Sequence, residues 1–416
     1  MKFIHTADVH LDSPLHGLSN YPDAPATQLR GASRDAFVRL IDHAIDVSVD
    51  FVVIAGDLYD GDWRDHNTGI FFIREMGRLK RAGIPAFVLL GNHDAENEMT
   101  KRLTLPDNVI KFGSTKPETY RLDHLKVALH GQSFREKAVV DNLALNYGSA
   151  LPGYFNIGVL HTALEGNTVH PNYAPCSRAE LHAKGYDYWA LGHVHEFQHW
   201  DEQSHIVFPG NLQGRHIREI GRRGAVMVTV DEGHTNVERI FLDVLRWEVV
   251  DVDVTHCASM SDVARRVGEG LNGLLTVDSH VSRAVRVVVT GQTLAHGTLF
   301  GHATELRSEV LGQIAAIGNE RLWLEKVKVQ TQPVATASAA GEGTGAIADL
   351  KEIFDEAATD PAFIAHLQSE LQHFFGKLSA EVKEDVPLLK LAREADFASL
   401  VKHVSPALLA TLINDE

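Results

Sequence analysis

Residues 88–96 read VLLGNHDAE. Val88, Leu89 and Leu90 extend an apolar run with the composition of a strand buried on both faces, and the run stops at Gly91, Asn92, His93 and Asp94. A glycine and three side chains rich in lone pairs are a costly ending for a core strand unless those groups are wanted there. In open α/β sheets ligands bind in the crevice beyond the carboxyl ends of the strands, so the same ending should recur after other buried runs. Asp8 and His10 follow KFIHT, Asp57 follows FVVIAG, His161 follows NIGVL, and His193 and His195 follow YWALG. Taken singly, each is a turn former of the kind that ends strands anyway. Together, Asp8, His10, Asp57, Asn92, His161, His193 and His195 form an ordered constellation.

The apolar runs also set the fold class. Up to about residue 243, KFIHT, DFVVIAG, AFVLLGN, FNIGVLHT, DYWALGH, HIVFPGN and GAVMVTV alternate with amphipathic segments, the pattern of an α/β layered domain. One predicted helix carries Phe37, Leu40, Ile41, Ala44 and Ile45 on a single face; another carries Phe72, Ile73, Met76 and Leu79 and closes near Gly83. Some later runs have no long helix between them, which predicts mixed sheets. From Trp247 to Gln330 the order is strand (WEVVDVDVT), helix from near Ser261, strand (RAVRVVVTG), helix over roughly 298–317 and strand (RLWLEKVKVQ), with no clustered ligand residues. After Pro333, VATASAAGEGTGAIA has the composition of a flexible linker, and beyond it the periodicity is helical, with Asp360 as N-cap and Pro361 at the first helical position. The expected domains are 1–243, 244–332, a linker at 333–348 and a helical region at 349–416.

At 416 residues the chain is long enough for two or three domains. No window approaches the 18 or so apolar residues of a membrane helix, and MKFIHTADVH lacks the basic, apolar and small-residue blocks of a signal peptide, so a cytoplasmic protein is expected. Cys176 and Cys257 lie far apart, which suits a reducing compartment and excludes a cysteine-based zinc site. The net charge of −16 argues against a phosphate-bearing partner until its distribution is considered. Residues 349–416 hold 13 Asp and Glu against 6 Lys and Arg, and bound divalent cations would supply positive charge where a phosphate would sit.

Two Asp, one Asn and four His suit manganese, iron or zinc and are too nitrogen-rich for magnesium or calcium. Seven donors exceed what one four-coordinate metal takes; they suit two metals about 3.5–4 Å apart sharing a carboxylate. On that reading Gly91 admits close backbone approach, Asn92 offers a neutral oxygen, and His93, held beside the metals, is free to meet a substrate.

The ordered set DVH, GDLYD, GNHD, His161 and GHVH resembles the calcineurin-like metallophosphoesterases and, within them, the SbcD-type DNA repair exonucleases, with YhaO-like proteins nearest. The resemblance implies a four-layer α/β metallophosphoesterase β-sandwich flanked by helices, a smaller α+β capping domain and a helical C-terminal tail. It implies two divalent ions, manganese before iron or zinc. Asp8, His10 and His195 match the ligands of one ion, Asn92, His161 and His193 those of the other, Asp57 the bridge and His93 the catalytic histidine. The implied function is hydrolysis of DNA phosphodiesters by a two-metal mechanism, with a coiled-coil ATPase subunit of the SbcC or YhaN kind as partner and a homodimer left open. Two stretches depart from the SbcD pattern, HLDSPLHGL after the first motif and FPGNLQGRH after the last, and both bear on substrate range.

Two alternatives stand beside this reading. One is a phosphatase or a phosphodiesterase for small molecules or cyclic nucleotides, although GDLYDGDWR lacks the Asp-Arg-Gly of the protein phosphatases. The other is a non-catalytic scaffold, against which the intact ligand set argues. His5, His16, His130, His205 and His216 carry no ligand pattern and read as surface or core packing. The Arg-rich GRHIREIGRRG, residues 214–224, reads equally as a phosphate-facing or a solvated loop. The helical stripe of Phe363, Leu367, Leu371 and Phe374 reads as self-packing or as a partner face.

Overall fold

The computed structural model describes residues 1–13, 26–60, 66–95, 104–166, 173–274, 281–318, 321–334, 346–377, 389, 391–392 and 394–414. His16, most of the stretch after His10 and the centre of the Gly-rich linker lie outside the described residues.

The chain forms two compact units, Met1–Glu248 with His280–Ala284, and Val249–Ser279 with Val285–Glu416. The strands of the first are β1 (Lys2–Thr6), β2 (Phe51–Ala55), β3 (Ala86–Leu89), β4 (Val109–Lys111), β5 (Glu118–Leu122), β6 (Val127–Gly131), β7 (Phe155–His161), β8 (Tyr188–Gly192), β9 (Gln198–Trp200), β10 (His205–Phe208), β11 (Gly224–Asp231) and β12 (His234–Phe241). Its helices are α1 (Ala26–Asp46), α2 (His66–Arg81), α3 (Asn92–Ala95) and α4 (Arg178–His182). The strands make two six-stranded sheets, ordered β12-β11-β1-β2-β3-β4 and β5-β6-β7-β8-β10-β9. β1 to β4 are parallel, joined through α1 and α2, whereas β11 runs antiparallel to β1 and β12 to β11. In the second sheet β6, β7, β8 and β10 are parallel and the two edges antiparallel. Both sheets are therefore mixed, as the missing helices between the later runs predict.

The continuous apolar runs are divided between two cores by the two-residue alternation of a strand. Ile4, Val52, Ile54 and Val88 point to a core shared with Phe37, Leu40 and Ile41 of α1 and Phe72, Met76 and Leu79 of α2. Phe3, Phe51, Val53, Phe87 and Leu89 point the other way, to a core shared with Ile157, Val159, Tyr188 and Ala190 of the second sheet. Trp189, Leu160 and Leu191 face a third cluster with Leu181 and Tyr186 on the outer side of that sheet. Trp247 is fully buried in the same unit, its indole N–H donating to Gly214 O at 3.0 Å, so this unit continues past residue 243.

Strands β4, β5, β6, β9 and β12 escape the sequence reading. β12 has only exposed and half-buried residues, and its apolar Val237, Ile240 and Phe241 form no continuous run. β6 is fully buried, but its run is interrupted by His130, whose ring nitrogens are satisfied by Thr119 Oγ1 at 2.9 Å and Asn156 Oδ1 at 3.1 Å.

The second unit is built on β13 (Leu245–Asp253) from Val249 on, α5 (Met260–Leu274), β14 (Ser282–Thr293) from Val285 on, α6 (His296–Gly301), α7 (Ala303–Ile317) and β15 (Leu322–Pro333). The sheet order is β13-β14-β15. The bonds Ser282 N to Val244 O and Val254 N to Thr290 O advance along both strands in the same sense, so β13 and β14 are parallel. Parallel strands alternating with helices make this part α/β, a correction to the expected α+β. The helix expected over 298–317 is two helices, broken at His302 with φ −125° and ψ 45°. Val263, Val267 and Leu271 of α5 and Leu306, Val310 and Ile314 of α7 supply the core over the sheet. Among the described residues the helices α8 (Ala346–Ala357), α9 (Pro361–Lys377) and Phe397–Asn414 follow, the last packing on α6 and α8. Asp360 Oδ1 accepts from Ala362 N at 2.8 Å and Pro361 opens α9, the expected cap. No helix among the described residues is long and apolar enough to cross a membrane.

Candidate metal centre

The singled-out side chains meet because five strands end in one place. Asp8 and His10 leave β1, Asp57 leaves β2, and α3 begins at Asn92 directly beyond β3; His161 is the last residue of β7, and His193 and His195 follow β8. The exits of β1 and β2 stay zipped by Asp8 N to Gly56 O at 3.0 Å and His10 N to Asp57 O at 3.0 Å. To turn their side chains inward, Asp8 (φ 48°), His10 (44°), Asp57 (51°) and His193 (104°) take left-handed backbone conformations. Such conformations cost a non-glycine residue of order 1–3 kcal/mol and persist where the surroundings over-determine them. Gly91 has a steric reason: a Cβ there would lie 2.3 Å from Asp57 Oδ1 and 2.8 Å from Asp57 N.

The donor atoms converge in three clusters, each within 4.8 Å: Asp8, His10 and His195; Asp8, Asp57 and His161; and His10, Asp60 and His93. His10 Nε2 and His195 Nε2 are 3.4 Å apart, with Asp57 Oδ2 4.0 Å from the former and Asp8 Oδ1 3.8 Å from the latter. His161 Nε2 lies 3.0 Å from Asn92 Oδ1 and 3.4 Å from Asp57 Oδ2. His193 takes part differently. Its backbone N–H donates to both oxygens of Asp8, at 3.2 and 3.0 Å, and its ring lies 5.2 Å from that of His161, but no ring nitrogen of His193 joins the three clusters.

The tautomers test whether a cation fits. His161 Nδ1–H donates to Ala55 O at 3.0 Å and His195 Nδ1–H donates to the Glu219 carboxylate at 2.7 Å, which leaves each Nε2 to face the cluster. At His161 that Nε2 meets two oxygen acceptors and needs positive charge between them. Burial works against an imidazolium there, yet Asp57 outweighs it and draws the pKa up to about 9. A divalent cation would meet the same need. Burial and the neighbouring Arg215 push His10 down to about 3, the neutral form that ligates metals. Burial would raise Asp57, but His161, His10 and His93 hold its carboxyl well below the usual range. Burial raises Asp8. His5 gives the contrast: buried a short way along β1, it accepts from Tyr188 Oη at 2.9 Å and donates to Leu191 O at 3.1 Å, a fully satisfied core histidine.

Three carboxylates that sequence reasoning did not assign surround the cluster. Asp94 is buried and accepts from Leu58 N (3.1 Å), Tyr59 N (2.9 Å) and Gly91 N (3.0 Å), tying the exits of β2 and β3 together; burial and Asp57 push it up to about 7. Asp60 Oδ1 lies 3.6 Å from His10 Nδ1 and 3.3 Å from His93 Nδ1. Glu219 holds His195 and also accepts from Asn211 Nδ2 at 2.8 Å. His93 is one-third exposed, and its backbone N–H donates to Asp57 Oδ1 at 3.0 Å. Burial lowers the His93 pKa, but Asp60 and Asp57 reverse this and the net shift is upward. In the Arg-rich stretch, Arg223 is buried, bonded to His195 O and, at 2.6 Å, to Glu196 Oε1, while Arg218 and Arg222 are exposed. His216 Nε2 is 3.6 Å from Glu219 Oε1, nearer the cluster than its sequence context suggests.

Comparison with known proteins agrees with this geometry. The family model for calcineurin-like phosphoesterases matches residues 1–197, and that for the middle domain of metallophosphoesterase YhaO matches residues 247–332. The metallophosphoesterase YhaO of Bacillus subtilis is 34% identical over 295 residues, covering 70% of this chain and 72% of that protein. The DNA double-strand break repair protein Mre11 of Methanopyrus kandleri is 27% identical over 307 residues, 65% of this chain and 63% of that one. Mre11 of Sulfurisphaera tokodaii is 28% identical over 268 residues, 61% and 66%. The chain thus spans under two thirds of each of these Mre11 proteins, but well over two thirds of YhaO. A buried His/Asp cluster of the dimetal phosphoesterase type, a family model over the strands that carry it and a second over the following unit identify the chain as a calcineurin-like metallophosphoesterase of the YhaO family, related to the Mre11 and SbcD nucleases.

Proposed function

We propose that this chain is a manganese-dependent phosphodiesterase that cleaves DNA. Asp8, His10 and His195 would hold one ion and Asn92, His161 and His193 the other, with Asp57 placed to serve both sets. The observation that carries the reading is the convergence of imidazole and carboxylate lone pairs at the ends of five strands, with the outer nitrogens of His161 and His195 already hydrogen-bonded. Divalent cations bound there supply charge to the phosphoryl oxygens and lower the pKa of water. The chain's own residues do the rest. His93 Nδ1 faces Asp60, which leaves its other ring nitrogen to donate a proton to the leaving oxygen. Asp60 favours the imidazolium needed for that donation, and the bond from His93 N–H to Asp57 fixes its distance from the phosphate. Asp94 and Glu219 orient groups that touch the phosphate or the ions without touching them themselves.

DNA as substrate is supported by the relationship to Mre11 proteins, named for double-strand break repair. The second unit, which the family model for the YhaO middle domain matches, contributes substrate binding rather than chemistry. A coiled-coil ATPase docks on the C-terminal helices. Exposed Phe363 and Phe374 flank half-buried Leu367 and Leu371 on α9, which favours a partner face over self-packing. The test is purified full-length chain with manganese, assayed on end-labelled DNA and on bis(p-nitrophenyl) phosphate. Cleavage of both, lost in Asp57→Asn, is the expected result. Cleavage of the small diester alone favours the small-molecule phosphodiesterase, and cleavage of neither favours the scaffold.

A further inference from the structure

Arg215 lies in the stretch where the sequence departs from the SbcD pattern. Its side chain is 15% exposed. Its Nη1 is 3.7 Å from Asp60 Oδ1, and its Nη2 is 3.3 Å from Glu219 Oε1 and 3.4 Å from His195 Nδ1. Nε is buried and has no hydrogen-bond partner among the described residues. Only the backbone N–H makes a short bond, 2.7 Å to Glu219 Oε2. Arginines that serve structure in this chain look different. Arg34 forks onto Asp12 with two bonds of 2.6 Å, and Arg286 onto Glu325 with bonds of 2.7 and 2.6 Å. A guanidinium carries five donors in a fixed fork, and burying it without short bonds forgoes most of its stabilisation. Arg215 is thus held in place through its main chain and Glu219, with its fork largely unspent, and its Nη1 faces the same Asp60 oxygen as His93 Nδ1.

We propose that Arg215 is a substrate-binding residue whose guanidinium takes a non-bridging oxygen of the phosphate at the metal cluster, so that Arg215 and His93, which share Asp60 as a neighbour, act on the same substrate. The proposal rests on the phosphodiesterase reading above and deepens it, assigning to the chain a cation of its own for an anionic phosphoryl group. The rival role is purely structural: an arginine that offsets the charge of Asp60 and Glu219.

Manganese-loaded full-length protein and its Arg215→Gln and Arg215→Lys variants decide between them. Three readouts are needed: manganese per chain, the dissociation constant for inorganic phosphate by titration calorimetry, and kcat and KM on bis(p-nitrophenyl) phosphate. Losing a charge-assisted fork weakens oxyanion binding by about 10- to 100-fold. Arg215→Gln is therefore expected to bind phosphate that much more weakly and to lose kcat/KM in proportion, at unchanged manganese content. Arg215→Lys, which keeps the charge without the planar fork, should fall between. Wild-type phosphate affinity in Arg215→Gln overturns the proposal, as does loss of manganese together with phosphate binding, which would make Arg215 a support for His195. If Arg215→Gln does not fold, Arg215→Lys decides, because unaltered phosphate affinity there means that no fork is in use. Wild-type protein that loads manganese but neither binds phosphate nor hydrolyses the diester overturns the phosphodiesterase reading and this proposal with it.

Discussion

Replacing Gly91 with alanine tests whether the exit of β3 is shaped by the cluster. The added Cβ would sit 2.3 Å from Asp57 Oδ1, 2.8 Å from Asp57 N and 3.0 Å from His161 Cε1. A tolerable contact needs about 3.3 Å, so the Asp57 carboxylate has to retreat by about 1 Å. The close Asp57 N belongs to backbone, which limits how far the loop can yield. Overpacking of this kind costs about 1–3 kcal/mol, or roughly 2–4 °C in Tm per kcal/mol for a unit of this size. The larger effect is on chemistry. Asp57 Oδ1 also accepts the His93 N–H at 3.0 Å, so Asp57 and His93 move together, and a displacement of about 1 Å in the proposed site costs turnover on the order of 100-fold. The assay is hydrolysis of bis(p-nitrophenyl) phosphate together with manganese content and Tm. Gly77→Ala is the control: in the middle of α2 the nearest atom to the new Cβ is Arg81 Nη1 at 3.9 Å, and the change should stabilise by about 0.5–1 kcal/mol. Gly91→Ala with wild-type metal content and turnover within a few-fold of normal would refute the reasoning.

Other perturbations separate the roles assigned to neighbouring groups. His93→Ala should keep its manganese and lose about two to four orders of magnitude in turnover, whereas loss of metal as well would make His93 a ligand. Asp57→Asn should lower manganese per chain by elemental analysis, since it removes the charge that both flanking clusters face; unchanged stoichiometry would remove Asp57 from the bridge. His5 sets an acid limit on stability: burial holds its pKa near 3 in the fold against 6.5 in the open chain, so as pH falls below 6.5 the unfolded state takes up a proton that the folded state refuses. Its contribution, complete above pH 6.5, shrinks by about 2 kcal/mol at pH 5 and goes on falling toward pH 3. His5→Gln should therefore narrow the gap between Tm at pH 7.5 and pH 5, and an unchanged gap would show that His5 is not responsible. Leu367→Glu with Leu371→Glu should leave Tm nearly unchanged, because both side chains are only half-buried, while abolishing co-purification with an ATPase partner; a drop of several degrees would mean self-packing.

The parts of the fold legible in the sequence are those that bury both faces. β1, β2, β3, β7 and β8 are continuous apolar runs because each lies between two cores, and the groups at their ends stand out against that background. The strands that were missed lack this contrast. β5 and β9 are half-exposed edge strands, β4 is three residues long, and the solvent face of β12 makes it read as a loop. The three-stranded sheet of the second unit differs for another reason: strand-helix alternation predicts its elements, but its class turns on strand direction, which periodicity does not encode.

The supporting carboxylates are harder to read still, because the feature that makes them functional is distance across the fold. Glu219 stands 24 residues from His195 in a stretch whose arginines draw the eye, yet its carboxylate orders the site by taking the Nδ1 proton of His195, the Nδ2 of Asn211 and the backbone N–H of Arg215. A usable signal was present: a lone acid among Arg215, Arg218, Arg222 and Arg223 is out of keeping with a solvated basic loop and calls for a buried partner. The same logic extends to Asp60 and Asp94. A carboxylate close behind a ligand-bearing strand end can act on the ligand's second nitrogen or on the backbone that carries it, and metal sites depend on such partners to fix the ligand's tautomer and direction. Here Asp94 fastens the exit of β2 to that of β3 by three backbone bonds, and Asp60 faces His10 and His93 from the rim. The GDLYD and GNHD motifs therefore carry two kinds of aspartate. Asp57 and Asp60 offer oxygens to the donor clusters, whereas Asp94 holds in place the backbone that carries them, and the hydrogen bonds of the fold separate these roles where the spacing of the motifs does not.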